Sequence, residues 1–164
     1  TLGYLIQPEV ERNEFARLDA LIAPVTGQAL WGTRWQLPID TPYSSAFGQY
    51  RILNRTIQTR HTGWDQTAPV GTPVSAMASG EVAYADQLDI RGNYVLLHHG
   101  WGVYSGYAHL SQINVQRGQS VQVGQIIGSS GNTGRSNGPH LHWEIAVNGE
   151  WVDGVSFIEM WLPS

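Results

Sequence analysis

Short apolar runs bounded by turn-forming residues dominate the chain from Gly71 onward. "EVAYA", "NYVLLHH", "VYSGYAHL", "SVQVGQIIG" and "HLHWEIAV" each have Gly, Asn or Ser at one or both ends, which is typical of β-strands separated by turns. "NG" at Asn148–Gly149 lies between two such runs, and both residues tolerate the positive φ of a tight hairpin. The pattern predicts an antiparallel β domain.

The beginning of the chain follows a different pattern. Between Pro8 and Pro24, which suit a helix start and end, apolar residues recur at roughly helical spacing: Val10, Phe15, Leu18, Leu21 and Ile22. We therefore expect one short amphipathic helix over residues 9–23. Residues 24–60 carry three prolines and scattered aromatic residues, and we expect them to be irregular.

Composition narrows the possible functions. The 164 residues suffice for one domain with a core, and the net charge of −4 argues against nucleic acid as a partner. The chain has no cysteine, which excludes disulfides and thiolate ligands, and no lysine, which excludes a lysine-linked cofactor. No apolar stretch reaches the roughly 18 to 20 residues of a membrane span. The first residue is Thr1, so we expect any signal or anchor to lie upstream.

Two histidines stand one residue apart in "GPHLHWEI". In a strand, residues i and i+2 share a face, so His140, His142 and Glu144 would project to one side. The opposite face would be wholly apolar and could lie on a core. The polar face could be a solvated surface, or it could serve metal binding or proton transfer, for which imidazoles are suited.

A second cluster of candidate ligands occurs in "HTGWD", where Asp65 follows His61 by four residues. Gly63 within the motif and Pro69 after it argue for strand and loop instead of helix. Catalytic zinc sites commonly have three ligands from His, Asp and Glu and leave one position for water. The pair together with one histidine of "HLH" would supply two nitrogens and one oxygen.

Taken in order, "HTGWD", "YAHL" and "GPHLHWE" resemble the motifs of the lysostaphin-type zinc endopeptidases (the LytM or M23 family). The resemblance extends from "SSAFGQYR" through "APVGTPVSAMASGEVAYA" and "GNYVLLHHGWGVYSGYAHL" to "VQVGQIIGSSGNTGRSNGPHLHWEI", and covers roughly residues 35–160. It implies an all-β fold, a single compact antiparallel β-sheet domain of the duplicated hybrid motif type, with a loop-walled groove. We accordingly expect a lead-in over residues 1–34 and a peptidase domain over residues 35–164.

The resemblance also assigns roles to the five polar residues of these motifs. It implies that His61, Asp65 and His142 bind one zinc ion, and that His109 and His140 are catalytic without being ligands. Family members cleave peptide bonds in the stems or cross-bridges of bacterial peptidoglycan. The implied protein is a zinc-dependent endopeptidase, expected to be monomeric and to act in an extracellular, periplasmic or cell-envelope location.

Other residues are candidates for the walls of the groove. We expect Asn93 and Tyr104 to line it, and Arg135, in the Gly- and Ser-rich loop of residues 129–138, to meet a substrate carboxylate. Glu144 could orient an imidazole, or it could be exposed or paired with an arginine. His98 and His99, the "HH" pair, are expected to have structural roles or to support the site without being ligands.

Three alternatives remain at this point. A degenerate relative without activity could regulate other cell-wall hydrolases, although all five key positions are filled here. "HTGWD" is also similar to a motif of glucose-type phosphocarrier domains, which use a phosphorylated histidine but lack H-x-H. Residues 1–30 could cover the groove, or they could simply pack on the sheet.

Overall fold

The computed structural model describes residues 7–32, 34–53 and 57–161. Helix α1 spans Pro8–Ile22, one residue earlier at each end than the sequence pattern predicts. Pro8 stands in its first turn together with Glu9, a position where proline and acidic side chains are favoured. A second helix, α2, spans Gly154–Glu159 and was not predicted; it is short, and the Asp153 side chain caps its first turn.

The remaining regular structure is β, as expected. Three short strands lie between residues 43 and 60, where the sequence was expected to be irregular; strands of three or four residues are too short to show a period. The strands are β1 Tyr43–Ser45, β2 Tyr50–Leu53, β3 Ile57–Arg60, β4 Trp64–Thr67, β5 Pro73–Ser75, β6 Gly80–Leu88, β7 Gly92–Gly100, β8 Val103–Ile113, β9 Ser120–Val121, β10 Ile126–Ser130, β11 His140–Val147 and β12 Glu150–Val152.

Ten of these strands form one antiparallel sheet in the order β1-β4-β11-β8-β7-β6-β9, with β12 beside β11 and β10 beside β5 and β8. Strands β2 and β3 form a separate hairpin. The predicted "NG" turn joins β11 to β12, and Asn148 and Gly149 have φ values of 51° and 80°. The all-β prediction with a short N-terminal helix is confirmed.

Strand β11 occupies the position on which the site depends, because it lies between β4 and β8. His142 is paired with Asp65 of β4 on one side and with Ala108 of β8 on the other. His140 is paired with Thr67, so β4 places Asp65 beside the H-x-H motif. Backbone pairing therefore joins three motifs that are far apart in sequence.

The sheet is covered on both faces. On one face, Leu18 and Ile22 of α1 are fully buried and belong to the same cluster as Tyr94 and Leu96 of β7. On the opposite face a larger cluster contains residues from most strands together with the chain that follows α1: Trp31, Trp35, Val95, Leu97, Leu141, Trp143 and Ile145 are among its members. Since side chains alternate along β11, the two histidines and Glu144 project to the face that carries α1.

Among the described residues, neither helix is both long enough and apolar enough to cross a membrane.

Candidate metal and catalytic site

An open cavity of about 540 Å³ lies on the α1 side of the sheet. Its walls come from α1, β1, the β3–β4 segment, the chain before β7 and the loop that precedes β11. Five of its lining residues carry the chemistry that the sequence predicts: His61, Asp65, His109, His140 and His142. The structure thus brings together all five residues of the predicted metal and catalytic set.

Three of these residues present one atom each to a common point. His61 Nε2 lies 3.0 Å from Asp65 Oδ1, and His142 Nδ1 lies 2.8 Å from the same oxygen. The two nitrogens are 3.1 Å apart. All three side chains are buried, with 5 to 7% of each residue exposed. Two imidazoles and a carboxylate in this arrangement could hold a metal ion.

The partners of the other ring nitrogen of His61 and of His142 show which nitrogen of each ring carries the proton. His61 Nδ1 lies 2.6 Å from the Ala46 carbonyl oxygen, which can only accept, so Nδ1 carries the proton and Nε2 presents a lone pair. His142 Nε2 lies 3.0 Å from Glu144 Oε2 and donates to it, which leaves a lone pair on Nδ1. In these neutral tautomers, two nitrogen lone pairs and a carboxylate oxygen converge with no proton between them. Such a set repels itself unless a cation is bound, and the donor set fits zinc.

The electrostatics agree with this reading. Burial alone would raise the pKa of Asp65, but the interactions with His142 and His61 hold it well below its usual range. Burial alone would lower the pKa of His142, but its bonds to Asp65 and Glu144 raise it to about 9. In the absence of a metal, a proton on His142 is thus the cation that these carboxylates attract.

Two further imidazoles, those of His109 and His140, face the same cavity, and the Nδ1 atom of each is bonded to a backbone carbonyl. His109 Nδ1 donates to the Thr133 carbonyl at 2.7 Å, and His140 Nδ1 donates to the Gly138 carbonyl at 2.8 Å. Their ring centroids are 4.8 Å apart, and His140 Nε2 lies 3.8 Å from Asp65 Oδ1. Each ring therefore retains an Nε2 lone pair that can accept a proton. Burial, together with the neighbouring His142 and His140, lowers the pKa of His109 to about 3.

The backbone at His109 is unusual for a strand residue. Its φ is 59°, in the left-handed region that residues with a side chain seldom adopt, although it lies within β8. Its N–H donates to the Arg91 carbonyl at 2.7 Å, and the register between β7 and β8 shifts nearby. This local departure from regular pairing gives the ring its direction toward Thr133 and the cavity.

Glu144 is fully buried. Of the roles considered from the sequence, the structure shows two: Glu144 bonds an imidazole, and it is paired with an arginine. Its carboxylate accepts from His142 Nε2 and is also paired with Arg91, whose Nε lies 2.7 Å from Oε1. Arg91 was missed by sequence reasoning because it belongs to none of the motifs. So was Glu14 of α1, which binds Arg91 from the other side at 3.0 Å.

The three residues expected to line the groove lie in different surroundings. Arg135 does line the cavity, and its Nη1 lies 3.5 Å from Glu11 of α1. Asn93 instead bonds the Leu110 carbonyl through Nδ2, and the Tyr104 hydroxyl donates to the Pro24 carbonyl at 2.9 Å. Neither Asn93 nor Tyr104 is among the residues that line this cavity.

His99 lies away from the cavity, on the other face of the sheet. Its ring is fully buried, with Nδ1 bonded to the Ser79 carbonyl and Nε2 to the Ser105 hydroxyl. Burial lowers the pKa of His99 to about 4. These contacts are what a structural role requires.

Comparison with known proteins gives consistent results. Residues 59–154 match the sequence profile described as peptidase family M23. The chain is 40% identical over 148 residues to the peptidoglycan DD-endopeptidase ShyA of Vibrio cholerae, a match that covers 88% of this chain and 34% of that protein. The chain therefore spans about a third of the length of this curated relative.

Two solved structures are similar along most of the chain. A putative peptidase M23 from Pseudomonas aeruginosa has a TM-score of 0.78 and 33% identity, covering 93% of this chain and 62% of that one. A zinc-containing peptidase from Vibrio cholerae has a TM-score of 0.68 and 34% identity, covering 76% of this chain and 39% of that one.

Proposed function

Because the chain belongs to peptidase family M23, we propose that it is a zinc-dependent endopeptidase that hydrolyses peptide bonds in the stems or cross-bridges of bacterial peptidoglycan. The observation that carries this proposal is the convergence of three unprotonated donor atoms on a cavity that holds two further imidazoles. The similarity to a relative named as a peptidoglycan DD-endopeptidase supports the substrate class.

In this proposal His61 Nε2, Asp65 Oδ1 and His142 Nδ1 hold one zinc ion. The bound ion would polarise the scissile carbonyl and lower the pKa of a coordinated water toward about 7. The ligand set carries one negative charge, so the site keeps a net positive charge when zinc is present. His61 and His142 are held in the required tautomers by the Ala46 carbonyl and by Glu144.

His109 and His140 perform the proton transfers. Each ring has its Nδ1 proton fixed on a backbone carbonyl and its Nε2 available to accept. One Nε2 takes a proton from the water whose oxygen adds to the carbonyl carbon. An imidazolium then delivers a proton to the amine nitrogen as the carbon–nitrogen bond breaks. Imidazolium N–H groups also stabilise the negative charge that develops on the carbonyl oxygen.

The cavity gives the substrate an open approach along the loop that precedes β11. Arg135 and residues Ser136–Pro139 form this wall, and α1 supplies Glu11 and Phe15 opposite. We propose that Arg135 binds a carboxylate of the peptide stem, exchanging its contact with Glu11 for the substrate. Since peptidoglycan lies outside the cytoplasm, the site of action is extracellular, periplasmic or in the cell envelope. A monomer suffices, because one chain supplies the complete site.

A non-catalytic regulator of other hydrolases is the second candidate. Its supporting observation would be a missing ligand or a missing proton carrier, and here all five residues are present and converge. The match of residues 59–154 to peptidase family M23 favours a peptidase over the phosphocarrier alternative.

The decisive experiment is mass spectrometry of muropeptides released from several purified peptidoglycan types, with zinc-loaded and zinc-stripped protein side by side. We expect new amine termini that depend on zinc, and their identity names the bond. A protein that binds zinc stoichiometrically yet produces no new termini on any wall type would contradict the catalytic proposal and favour the regulator.

A further inference from the structure

We propose that Glu14, Arg91 and Glu144 form a buried ion-pair chain that positions the metal ligand His142, so that the zinc affinity of the site depends on helix α1. The ion-pair chain runs from α1 to the metal site through Glu14 and Arg91, which belong to none of the sequence motifs, and through Glu144 of "GPHLHWE". The inference rests on the proposed function only in taking zinc as the metal.

The first link joins His142 to Glu144. The Glu144 side chain is fully buried, and its Oε2 accepts the Nε2 proton of His142 at 3.0 Å. The same carboxylate accepts from the Tyr94 hydroxyl at 2.7 Å and from the Thr62 hydroxyl. A carboxylate held by this many donors has one orientation, and it therefore holds the imidazole in one orientation and one tautomer.

The second link joins Glu144 to Arg91. Arg91 Nε lies 2.7 Å from Oε1 and Nη2 lies 3.0 Å from Oε2, a two-pronged arrangement that fixes both groups. The guanidinium is also enclosed by aromatic rings, with the centroids of Phe15, Tyr94 and Trp151 between 5.3 and 5.8 Å away. Arg91 is thus immobilised on all sides, and its position sets that of Glu144.

The third link joins Arg91 to α1. Arg91 Nη1 lies 3.0 Å from Glu14 Oε1, and Glu14 also accepts the backbone N–H groups of Ile90 and Arg91 at 2.6 and 3.2 Å. Only 4% of Glu14 is exposed. One side chain of the helix therefore anchors both the guanidinium and the backbone that leads into β7.

The formal charges of this region support a connection to a divalent cation. Among the described residues, the buried acidic and basic side chains other than histidine are Glu14, Asp65, Glu144 and Arg91. Three negative charges and one positive charge sum to −2, which a divalent cation neutralises. Buried charges are tolerated when they are compensated, so the ion-pair chain and the metal belong to one balanced cluster.

Two readings of this cluster can be separated by experiment. If Arg91 only compensates charge, Arg91→Lys should leave zinc binding unchanged, because the charge is retained. If Arg91 positions Glu144, Arg91→Lys should weaken zinc binding, because an ammonium cannot form the two-pronged contact and still reach Glu14. Glu14→Gln removes the negative charge that pairs with Arg91 at the α1 end of the ion-pair chain, with almost no change in size.

The experiment uses the full chain, stripped of zinc and titrated against a chromophoric chelator, without any substrate. We expect Arg91→Lys to raise the zinc Kd by about 10- to 100-fold, the range typical of residues that orient a ligand, and Glu14→Gln to raise it by about tenfold. The matched control is Asp19→Asn, which makes the same charge change at an exposed position of α1 and should leave the Kd unchanged.

A second readout separates positioning from mere stabilisation of the fold. In cobalt-substituted protein, a displaced His142 changes the visible absorption of the metal, whereas an intact site in a less stable protein does not. The proposal would be overturned if Arg91→Lys and Glu14→Gln both folded and both kept the zinc Kd and the cobalt spectrum of the wild-type protein. Should Arg91→Lys fail to fold, Glu14→Gln decides alone. Because no substrate is involved, failure to cleave peptidoglycan would leave this test intact.

Discussion

The histidines of the site differ in what their second nitrogen touches, and in His61 this partner is the Ala46 carbonyl. His142 donates to a carboxylate, whereas His109 and His140 donate to backbone carbonyls. The H-x-H spacing could be read from the sequence because alternate strand residues share a face. The tautomers could not, since Thr133 and Gly138 acquire their role only when the loop before β11 folds over the strands.

Separate replacement of a ligand and of a proton carrier should divide metal binding from turnover. We expect His142→Ala to lose zinc and activity together, because one of three donors is removed. We expect His109→Ala to abolish turnover while it retains stoichiometric zinc, because His109 Nε2 is not among the converging donors. Elemental analysis of the purified variants, beside cleavage assays, measures both quantities. Equal loss of zinc in the two variants would contradict the assignment of roles.

The buried neutral ring of His99 should make stability depend on pH. Its pKa is lowered to about 4 by burial, so between pH 6.5 and 4 the unfolded chain binds a proton that the folded chain excludes. The free energy of unfolding therefore falls as the pH falls through this window, by up to about 1.4 kcal/mol per pH unit for this group. His109 adds to the same trend.

Urea unfolding of zinc-stripped protein at several pH values measures this dependence. We expect His99→Gln to be less stable at pH 7 but to show a shallower decline toward pH 4.5 than the wild-type chain. Parallel curves for the two proteins would show that His99 does not cause the trend.

Strand β11 shows what an alternating pattern of apolar and polar residues can predict and what it cannot. The sequence predicts its apolar face, and Leu141, Trp143 and Ile145 are indeed fully buried in the large cluster. The pattern does not identify the neighbours of β11, because pairing with β4 and β8 joins residues far apart in the chain. The same limit applies to Tyr104, because the "VYSGYAHL" run predicts a strand but not that the hydroxyl would bond the Pro24 carbonyl.

Close approach of β7 and β8 to Glu144 requires glycine at position 106. A Cβ on Gly106 would collide with the Tyr94 hydroxyl and come within 3.0 Å of Glu144 Cγ. We expect Gly106→Ala to cost about 1 to 3 kcal/mol of stability, as overpacking of a buried site does, and to weaken zinc binding by displacing Tyr94 from Glu144.

Tyr94→Phe supplies the matched partner for this substitution. It removes the hydroxyl that the new methyl group would strike, so the double variant should be more stable than the sum of the two single effects predicts. Chemical denaturation of all four proteins gives the coupling. Additive effects would mean that the clash is relieved elsewhere.

The lead-in packs against both faces of the sheet. Leu18 and Ile22 of α1 are fully buried, and Trp31 and Trp35 belong to the large cluster on the other face. The sequence predicts the helix from its period, and it predicts that residues 1–34 precede the peptidase domain. It contains no signal that Glu14 would pair with Arg91, because a single buried carboxylate leaves no repeating pattern.

Removal of the lead-in should therefore weaken the enzyme instead of releasing it. We expect a chain starting at Trp31 to melt at lower temperature, because burial of Leu18 and Ile22 contributes about 1.5 to 3 kcal/mol each. We also expect weaker zinc binding and no gain in cleavage per zinc-loaded molecule. A chain starting at Gln7, which keeps α1, is the control. A gain in activity on truncation to Trp31 would instead support self-inhibition by the N-terminal segment.

The left-handed backbone at His109 has a consequence for attempts to improve this protein in the laboratory. A residue with a side chain at a φ of 59° costs about 1 to 3 kcal/mol, and glycine would avoid this cost. A library screened for melting temperature alone should therefore enrich glycine at this position and discard the proton carrier with it. Selection for thermostability has to be combined with selection for turnover, because at this residue the two demands point in opposite directions.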